Sequence, residues 1–212
     1  MSSFFALTLP AGLLGSRGVS YALDAEDPLA KLALAARDGD GVAFTRLYER
    51  TRDLAWKALY SVVGPSPDLE DLLQESYLQL LKSLKGFRGD SKVTTFLHRV
   101  CVNTALMHLR SRRRHPEDPT DELPQSEAGP EASPERAAEV TQAVKLTRNA
   151  LAKMSEEKAA VVAYHDLMGL GPEEISQLVD APVNTVRSRL HRGRQEFTEL
   201  VAAAMATPGG AR

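Results

Sequence analysis

The segment between residues 171 and 194 constrains the fold of this chain more than any other stretch. It reads GPEEISQLV, then DAPV, then NTVRSRLHRGR. The first and last parts space their apolar residues as one face of a helix does, and Asp180 and Pro182 interrupt the pattern between them. Two short helices joined by a tight corner are therefore predicted, which is the outline of a helix-turn-helix.

The second of these predicted helices has two chemically different sides. With Asn184 as its N-cap and 100° per residue, Val186, Leu190, Gly193 and Phe197 are expected to face the core, where Gly193 permits close packing. The opposite side and its flanks carry polar and basic groups, namely Thr185, Arg187, Ser188, Arg189, His191, Arg192, Arg194 and Gln195. Arginine can form two hydrogen bonds with guanine, and it also contacts phosphates. This helix is therefore predicted to read DNA in the major groove.

Helical spacing of apolar residues continues through the rest of the chain, and no window shows the alternation of a sheet strand. The spacing predicts helices over residues 27–37, 42–63, 67–84 and 94–113, with Ser66 as the N-cap of the third. The expected buried stripe of that third helix consists of Leu69, Leu72, Leu73, Leu80, Leu81 and Leu84. Four helices with short connections predict one compact bundle.

Composition changes abruptly after this bundle. Residues 116–139 contain eight acids, one base and five prolines, whereas residues 85–115 contain eight bases and one acid. The proline- and acid-rich stretch cannot build a core and is predicted to be a linker. The predicted fold is all-α, with two helical domains joined by this linker and a helix-turn-helix in the second. Its parts are a loose leader (1–24), a helical bundle (25–115), a flexible acidic linker (116–136), the helix-turn-helix domain (137–206) and a disordered tail (207–212).

The overall composition excludes several classes of function. The 212 residues carry a net charge of −2, so affinity for DNA must come from local basic patches. The one cysteine, Cys101, excludes an internal disulfide and a multi-cysteine zinc site, and it falls on an apolar helix face, where we expect it in the core. The apolar run from Phe4 to Leu14 is too short to span a membrane. No nucleophile, metal or cofactor motif is found, so we expect a non-enzymatic cytoplasmic protein without a cofactor or membrane insertion.

Four segments, in this order, resemble bacterial extracytoplasmic-function sigma factors, the compact members of the sigma-70 family. They are residues 68–75 (DLEDLLQE), 87–91 (FRGDS), 95–105 (TFLHRVCVNTA) and the helix-turn-helix at 171–194. The resemblance covers about residues 43–200. It implies a region 2-like bundle and a region 4-like domain in a specificity subunit of RNA polymerase, which directs promoter recognition and transcription initiation.

The resemblance also implies partners and contact residues. The first domain would bind the clamp helices of the largest subunit of core RNA polymerase through Asp71, Gln74 and Glu75, and the second would touch the flap. The residues implied to capture the single-stranded −10 element of promoter DNA are Arg88, Lys92, Thr94, Thr95, Arg99, Asn103 and Arg110. Those implied to read the −35 element are Asn184, Thr185, Arg187, Ser188, His191 and Arg192. An anti-sigma factor is a further implied partner.

The chain departs from the family pattern at the start of its fourth predicted helix. Val93 and Thr94 stand where the family usually has bulky or aromatic groups, which removes surface on which unpaired bases could stack, and Phe96 replaces a tryptophan. This departure leaves open a sigma-like regulator with reduced promoter melting. A second alternative is a conventional helix-turn-helix regulator that binds duplex DNA without core polymerase. Taken singly, exposed acids and helix-end arginines can also be ordinary solvated charges.

Overall fold

The structure is a computed structural model that describes residues 27–87, 92–114 and 134–206. Every regular element in these ranges is helical, which confirms the predicted all-α class. The first domain contains α1 (Pro28–Arg37), α2 (Gly41–Val63), α3 (Leu69–Leu84) and α4 (Val93–Arg114). The second contains α5 (Pro134–Lys153), α6 (Glu156–Val162), a π-helical turn (Ala163–Leu167), α7 (Pro172–Val179) and α8 (Val183–Ala206). The predicted leader, tail and most of the linker lie outside the described residues.

Aspartates cap the first two helices where the sequence breaks. Asp27 caps α1 with a carboxylate oxygen 2.9 Å from a backbone nitrogen of its first turn. Asp40 caps α2 by accepting from the backbone N–H groups of Val42 and Ala43 at 2.9 and 3.0 Å. Between them Gly39 adopts φ +100°, a conformation that favours glycine, and the reversal brings α1 back against α2.

Helix α3 differs from its prediction in two places. It begins at Leu69, later than predicted, so that Asp68 and not Ser66 occupies the N-cap position. The Ser66 hydroxyl accepts from the backbone nitrogen of Asp68 at 3.3 Å in the turn before the helix. Five of the six predicted stripe leucines are no more than 7% exposed, whereas Leu81 is 39% exposed. Tyr77, which is 4% exposed, completes the buried face of the helix, and Leu81 lies at the edge of that face.

The second domain begins earlier than predicted. Helix α5 begins at Pro134, so the last three residues assigned to the linker (134–136) are helical. Proline suits a first helical turn because its fixed φ matches the helix and its missing N–H would be unpaired there. Helices α6 and α8 then pack closely, since a Cβ placed on Gly193 would lie only 2.8 Å from Cγ2 of Val162. The predicted close packing at Gly193 is confirmed.

Helices α7 and α8 form the predicted helix-turn-helix, with one change at its corner. Asp180 adopts the left-handed conformation at φ 49° and ends α7. Asn184 was predicted as the N-cap of the second helix, and this is wrong. Helix α8 begins at Val183, and the Pro182 carbonyl accepts from the backbone N–H of Thr185 at 2.8 Å. Proline at 182 starts the helix because its φ is already close to the helical value.

The two domains pack against each other. Helix α4 contacts α5, α6 and α7, and α2 contacts α5 and the π-helical turn. Nη2 of Arg148, on α5, donates to the backbone carbonyl of Pro65, at the end of α2, at 2.6 Å. The buried apolar residues of both domains form one continuous cluster. The sequence predicted the two domains but not this contact.

Candidate nucleic-acid interfaces

Helix α8 separates its apolar and polar residues as the sequence predicts. Val186, Leu190, Gly193 and Phe197 are all buried against the domain core. The predicted reading residues Asn184, Arg187, Ser188, His191 and Arg192 are exposed, and Thr185 is half-buried. An exposed row of guanidinium, hydroxyl and imidazole groups on the second helix of this motif is suited to contacts with base edges and phosphates.

Three arginines of α8 form ion pairs with acids of their own domain. Arg187 Nη2 lies 2.9 Å from Glu173 Oε1, and both side chains are mostly exposed. Arg189 contacts Glu157 on α6 at 3.0 Å. Their exposed partners are easily exchanged for phosphate oxygens, because an exposed ion pair contributes only about 0–1 kcal/mol.

The third arginine, Arg194, is held more firmly. Its Nε donates to Asp166 Oδ2 at 3.0 Å, and the Asp166 side chain is only 5% exposed. The hydrogen bond to this carboxylate raises the pKa of Arg194 above its usual value. Because it anchors α8 to the π-helical turn, Arg194 is a structural residue. Arg187 and Arg192 are thus the arginines of α8 that best combine exposure with the outward face.

Helix α4 carries the second predicted nucleic-acid surface. Arg99 is exposed and Asn103 half-buried, one turn apart on one face of the helix. Arg110 follows two turns later with its side chain 23% exposed. Lys92 and Thr94 lie at the start of the helix and are half-buried, while Arg88 lies outside the described residues. The structure therefore places a cation, an amide and a second cation along one side of α4.

Two residues at the start of α4 are buried instead. Thr95, a predicted DNA contact, is 7% exposed, and Val93 is 0% exposed. Val93, Leu97 and Cys101 succeed one another at four-residue intervals and pack into the bundle, so Val93 belongs to the core and not to a base-stacking loop. A buried Val93 offers no surface on which a base could stack, and the effect of this departure on promoter melting stays a prediction. Phe96 packs beside the ring of Phe87, with centroids 6.2 Å apart.

A third surface lies on α3. Asp71, Gln74 and Glu75, the predicted polymerase contacts, are all exposed on this helix. Glu75 accepts a hydrogen bond from Gln79 Nε2 at 2.6 Å. Leu78 lies one turn after Gln74 and is 54% exposed. Leu78 was not among the predicted contact residues, although its position outside the predicted leucine stripe indicates an exposed apolar side chain.

Comparisons with known proteins agree with this arrangement. The family model of sigma-70 region 2 matches residues 47–115, and that of sigma-70 region 4 matches residues 145–197. The ECF RNA polymerase sigma-E factor of Salmonella typhimurium is 34% identical over 170 residues, which cover 77% of this chain and 88% of that protein. This chain belongs to the sigma-70 family, as an extracytoplasmic-function (ECF) sigma factor. It acts in promoter recognition and transcription initiation by RNA polymerase.

Other relatives support the same family and fold. The sigma-E factor of Escherichia coli K12 is 33% identical to this sigma factor over 170 residues, 77% of the chain and 88% of the relative. That of Haemophilus influenzae is 29% identical over 178 residues, 80% and 93% of the two chains. The solved structure of CnrH in complex with the cytosolic domain of CnrY matches with a TM-score of 0.52 at 20% identity, over 84% of this chain and 99% of that one. This structural likeness shows a shared fold.

The described part of this sigma factor contains no group of three or more His, Cys, Asp and Glu residues placed to hold a metal ion. None of its helices is both long and apolar enough to cross a membrane within the described ranges. Cys101 is buried, and its burial raises the pKa of the thiol to about 12. A thiol with so high a pKa carries almost no thiolate at neutral pH, which supports the prediction that Cys101 is a core residue.

Proposed function

We propose that the two domains of this sigma factor bind one promoter at two places. The region 2-like bundle captures the −10 element on the outer side of α4, with Arg99, Asn103 and Arg110 as contacts. The region 4-like domain reads the −35 element with the exposed face of α8. The observation that carries this proposal is the presence of two separate basic helical surfaces, one in each matched region.

The chemistry of each surface suits its proposed task. Arg99 supplies a cation for a phosphate, and Asn103, one turn later, supplies an amide that can bond a base edge. On α8, Arg187 and Arg192 can each reach guanine in the major groove, where a good bidentate pair discriminates by about 1–3 kcal/mol. Arg88, Lys92 and Thr94 are proposed to extend the first surface, and Asn184, Thr185, Ser188 and His191 the second.

Promoter melting requires a larger partner. Separating DNA strands costs about 1.4 kcal/mol per base-pair step, so a bubble of roughly ten steps costs more than about 10 kcal/mol. Contacts to a few bases on α4 cannot supply that free energy. We therefore propose that core RNA polymerase holds the bubble and that its clamp helices bind the exposed Asp71, Gln74 and Glu75 of α3, while its flap touches the second domain.

The remaining features of the proposal follow from this role. The protein contributes recognition and has no catalytic residue or cofactor of its own. It works in the bacterial cytoplasm, where polymerase and promoter meet. An anti-sigma factor is a further proposed partner, which would restrain the protein by covering the surfaces that polymerase needs. CnrH, a protein of the same fold, has been solved in complex with a partner, the cytosolic domain of CnrY.

The test is transcription with purified core polymerase on promoters that the wild-type holoenzyme selects from a random DNA library. Arg192→Ala should lower transcription from those promoters by on the order of 5- to 150-fold, the equivalent of 1–3 kcal/mol. Its binding to core polymerase should stay within about twofold. Asp71→Ala combined with Glu75→Ala should instead weaken core binding.

Arg50→Ala provides the matched control. It removes the same charge from an exposed arginine on α2, which is not among the residues assigned to the three proposed surfaces. Wild-type transcription is expected from this variant. If Arg192→Ala and Arg50→Ala lower transcription equally, α8 does not read the promoter, and if the wild-type chain never associates with core polymerase, the whole proposal fails.

A further inference from the structure

Helix α1 lies outside both matched regions, because it precedes residues 47–115. Its apolar side packs on the bundle through Ala33 and Ala36, which are 0% and 5% exposed. Its last residue, Arg37, extends beyond this packing to Phe87, three residues past the end of α3. Nη1 of Arg37 donates to the backbone carbonyl of Phe87 at 3.1 Å, a contact between residues fifty positions apart. The end of α1 is thus tied to the connection between α3 and α4.

Asp38 fixes the orientation of this guanidinium. Its two carboxylate oxygens accept from Nε and Nη2 of Arg37 at 2.8 and 3.2 Å, which is a bidentate arrangement. Nη1 is the remaining nitrogen, and it is the one that donates to the Phe87 carbonyl. Because a guanidinium is planar, holding two of its nitrogens also sets the direction of the third. Asp38 therefore determines where Arg37 donates.

Phe87 is held at three points. Its carbonyl accepts from α1, and its backbone N–H donates to the carbonyl of Leu84 at 2.9 Å. Its ring is 5% exposed and lies 6.2 Å, centroid to centroid, from the ring of Phe96 on α4. On the other side of residues 88–91, Val93 is fully buried as the first residue of α4. The described residues that flank 88–91 are therefore both anchored, and α1 supplies part of the first anchor.

We infer that Arg37 is a positioning residue for capture of the −10 element. Together with Asp38 it anchors Phe87, the residue directly before the proposed −10 contact Arg88. Arg37 acts through Phe87 and not by its own contact with DNA. The inference rests on the proposed −10 site, and it gives α1 a role in promoter binding that neither matched region includes.

The physical reason is preorganisation. A binding segment that is anchored before it meets its ligand loses less conformational entropy on binding than a free one. Loss of the hydrogen bond from Arg37 to Phe87 should therefore weaken capture of a single strand by about 3- to 10-fold, the range of one net hydrogen bond. Binding to core polymerase should not change, because its proposed contacts lie on α3 and in the second domain.

The assay uses holoenzyme assembled from the full chain and core polymerase. The probe is a fluorescein-labelled single strand with the non-template −10 sequence of a promoter that the wild-type holoenzyme selects, and anisotropy measures its binding. Arg37→Met removes the donor and should weaken binding by about 3- to 10-fold. Arg37→Lys keeps a donor and should recover part of the loss. Arg46→Met removes the same charge from an exposed position on α2 and should bind as the wild type does.

Asp38→Asn is the sharper variant, because electrostatics and positioning predict opposite signs for it. Removing an acid from a protein that binds a polyanion ordinarily strengthens binding. Here the loss of the two-point contact with Arg37 should weaken binding of the strand by about 2- to 5-fold. Asp53→Asn makes the same charge change at an exposed position on α2 and should bind equally or slightly more tightly than wild type. Unchanged affinity for core polymerase checks that each variant is folded.

A double-mutant cycle separates positioning from direct contact. If Arg37 acts through Phe87, Arg88→Ala should cost much less binding in the Arg37→Met background than in the wild type, whereas two independent contacts would give additive losses. Additive losses overturn the inference. It is also overturned if Arg37→Met binds the strand as the wild type does, or if Asp38→Asn binds it more tightly. Wild-type binding by Arg88→Ala alone would be a different failure, since it removes the proposed −10 contact on which the inference rests.

Discussion

Replacing Gly193 by alanine tests how the DNA-reading helix is held. Alanine normally stabilises a helix interior by about 1 kcal/mol relative to glycine. Here the new Cβ would lie 2.8 Å from Val162 Cγ2 and 3.4 Å from the Lys158 carbonyl oxygen. Val162 is a stiff, β-branched residue that is 2% exposed or less, so it cannot move aside freely. Overpacking of a core costs about 1–3 kcal/mol, which outweighs the gain from helix propensity.

We therefore expect Gly193→Ala to lower the free energy of unfolding of the second domain by about 1 kcal/mol. The matched control is Gly41→Ala, in the first turn of α2, where a Cβ would have no atom within 4 Å. That variant should be neutral or more stable than wild type by up to about 1 kcal/mol. The same chemical change is thus expected to lower the free energy of unfolding at Gly193 and not at Gly41.

Urea unfolding of the full chain followed by circular dichroism measures both variants. Fluorescence of the one tryptophan, Trp56, follows the first domain separately, since it lies on α2 beside Arg52. In Gly193→Ala, the urea midpoint measured by Trp56 fluorescence should shift less than the midpoint measured by circular dichroism. If Gly193→Ala is as stable as Gly41→Ala, then α6 and α8 do not approach as closely as the structure shows, and the reasoning is refuted.

Three further predictions concern other parts of the chain. Burial lowers the pKa of His98 from 6.5 to about 4. Protonation of His98 therefore does not lower the free energy of unfolding above pH 6.5, but lowers it by about 3 kcal/mol at pH 4. His98→Gln should flatten that acid dependence in urea titrations. Tyr77→Phe removes the 2.7 Å hydrogen bond to Thr51 and should cost about 0.5–1.5 kcal/mol of unfolding free energy, and a loss below a few tenths would mean that the bond is not formed. Glu173→Gln releases Arg187 from its exposed ion pair and should strengthen non-specific duplex binding in gel shifts by up to about fivefold; weaker binding would show that Glu173 instead positions Arg187 for DNA.

Much of the fold could be predicted from the sequence because its signals are local. The spacing of Val186, Leu190, Gly193 and Phe197 determines which side of α8 is apolar, whatever that side packs against. Breaks such as residues 38–40 end one helix and cap the next through hydrogen bonds between residues only two or three positions apart. The order of the motifs was likewise sufficient to indicate the sigma-70 family, which the comparisons confirmed.

The tertiary structure decided which of these side chains remain available. Periodicity could not show that Leu81 turns outward, that Thr95 turns inward, or that Arg194 is held by Asp166, since each depends on neighbours distant in sequence. The packing of the second domain against α4 is the largest such effect. A sequence pattern specifies the faces of each helix through nearest-neighbour geometry, but exposure and ion pairing depend on long-range packing, which brings together residues that no local spacing relates.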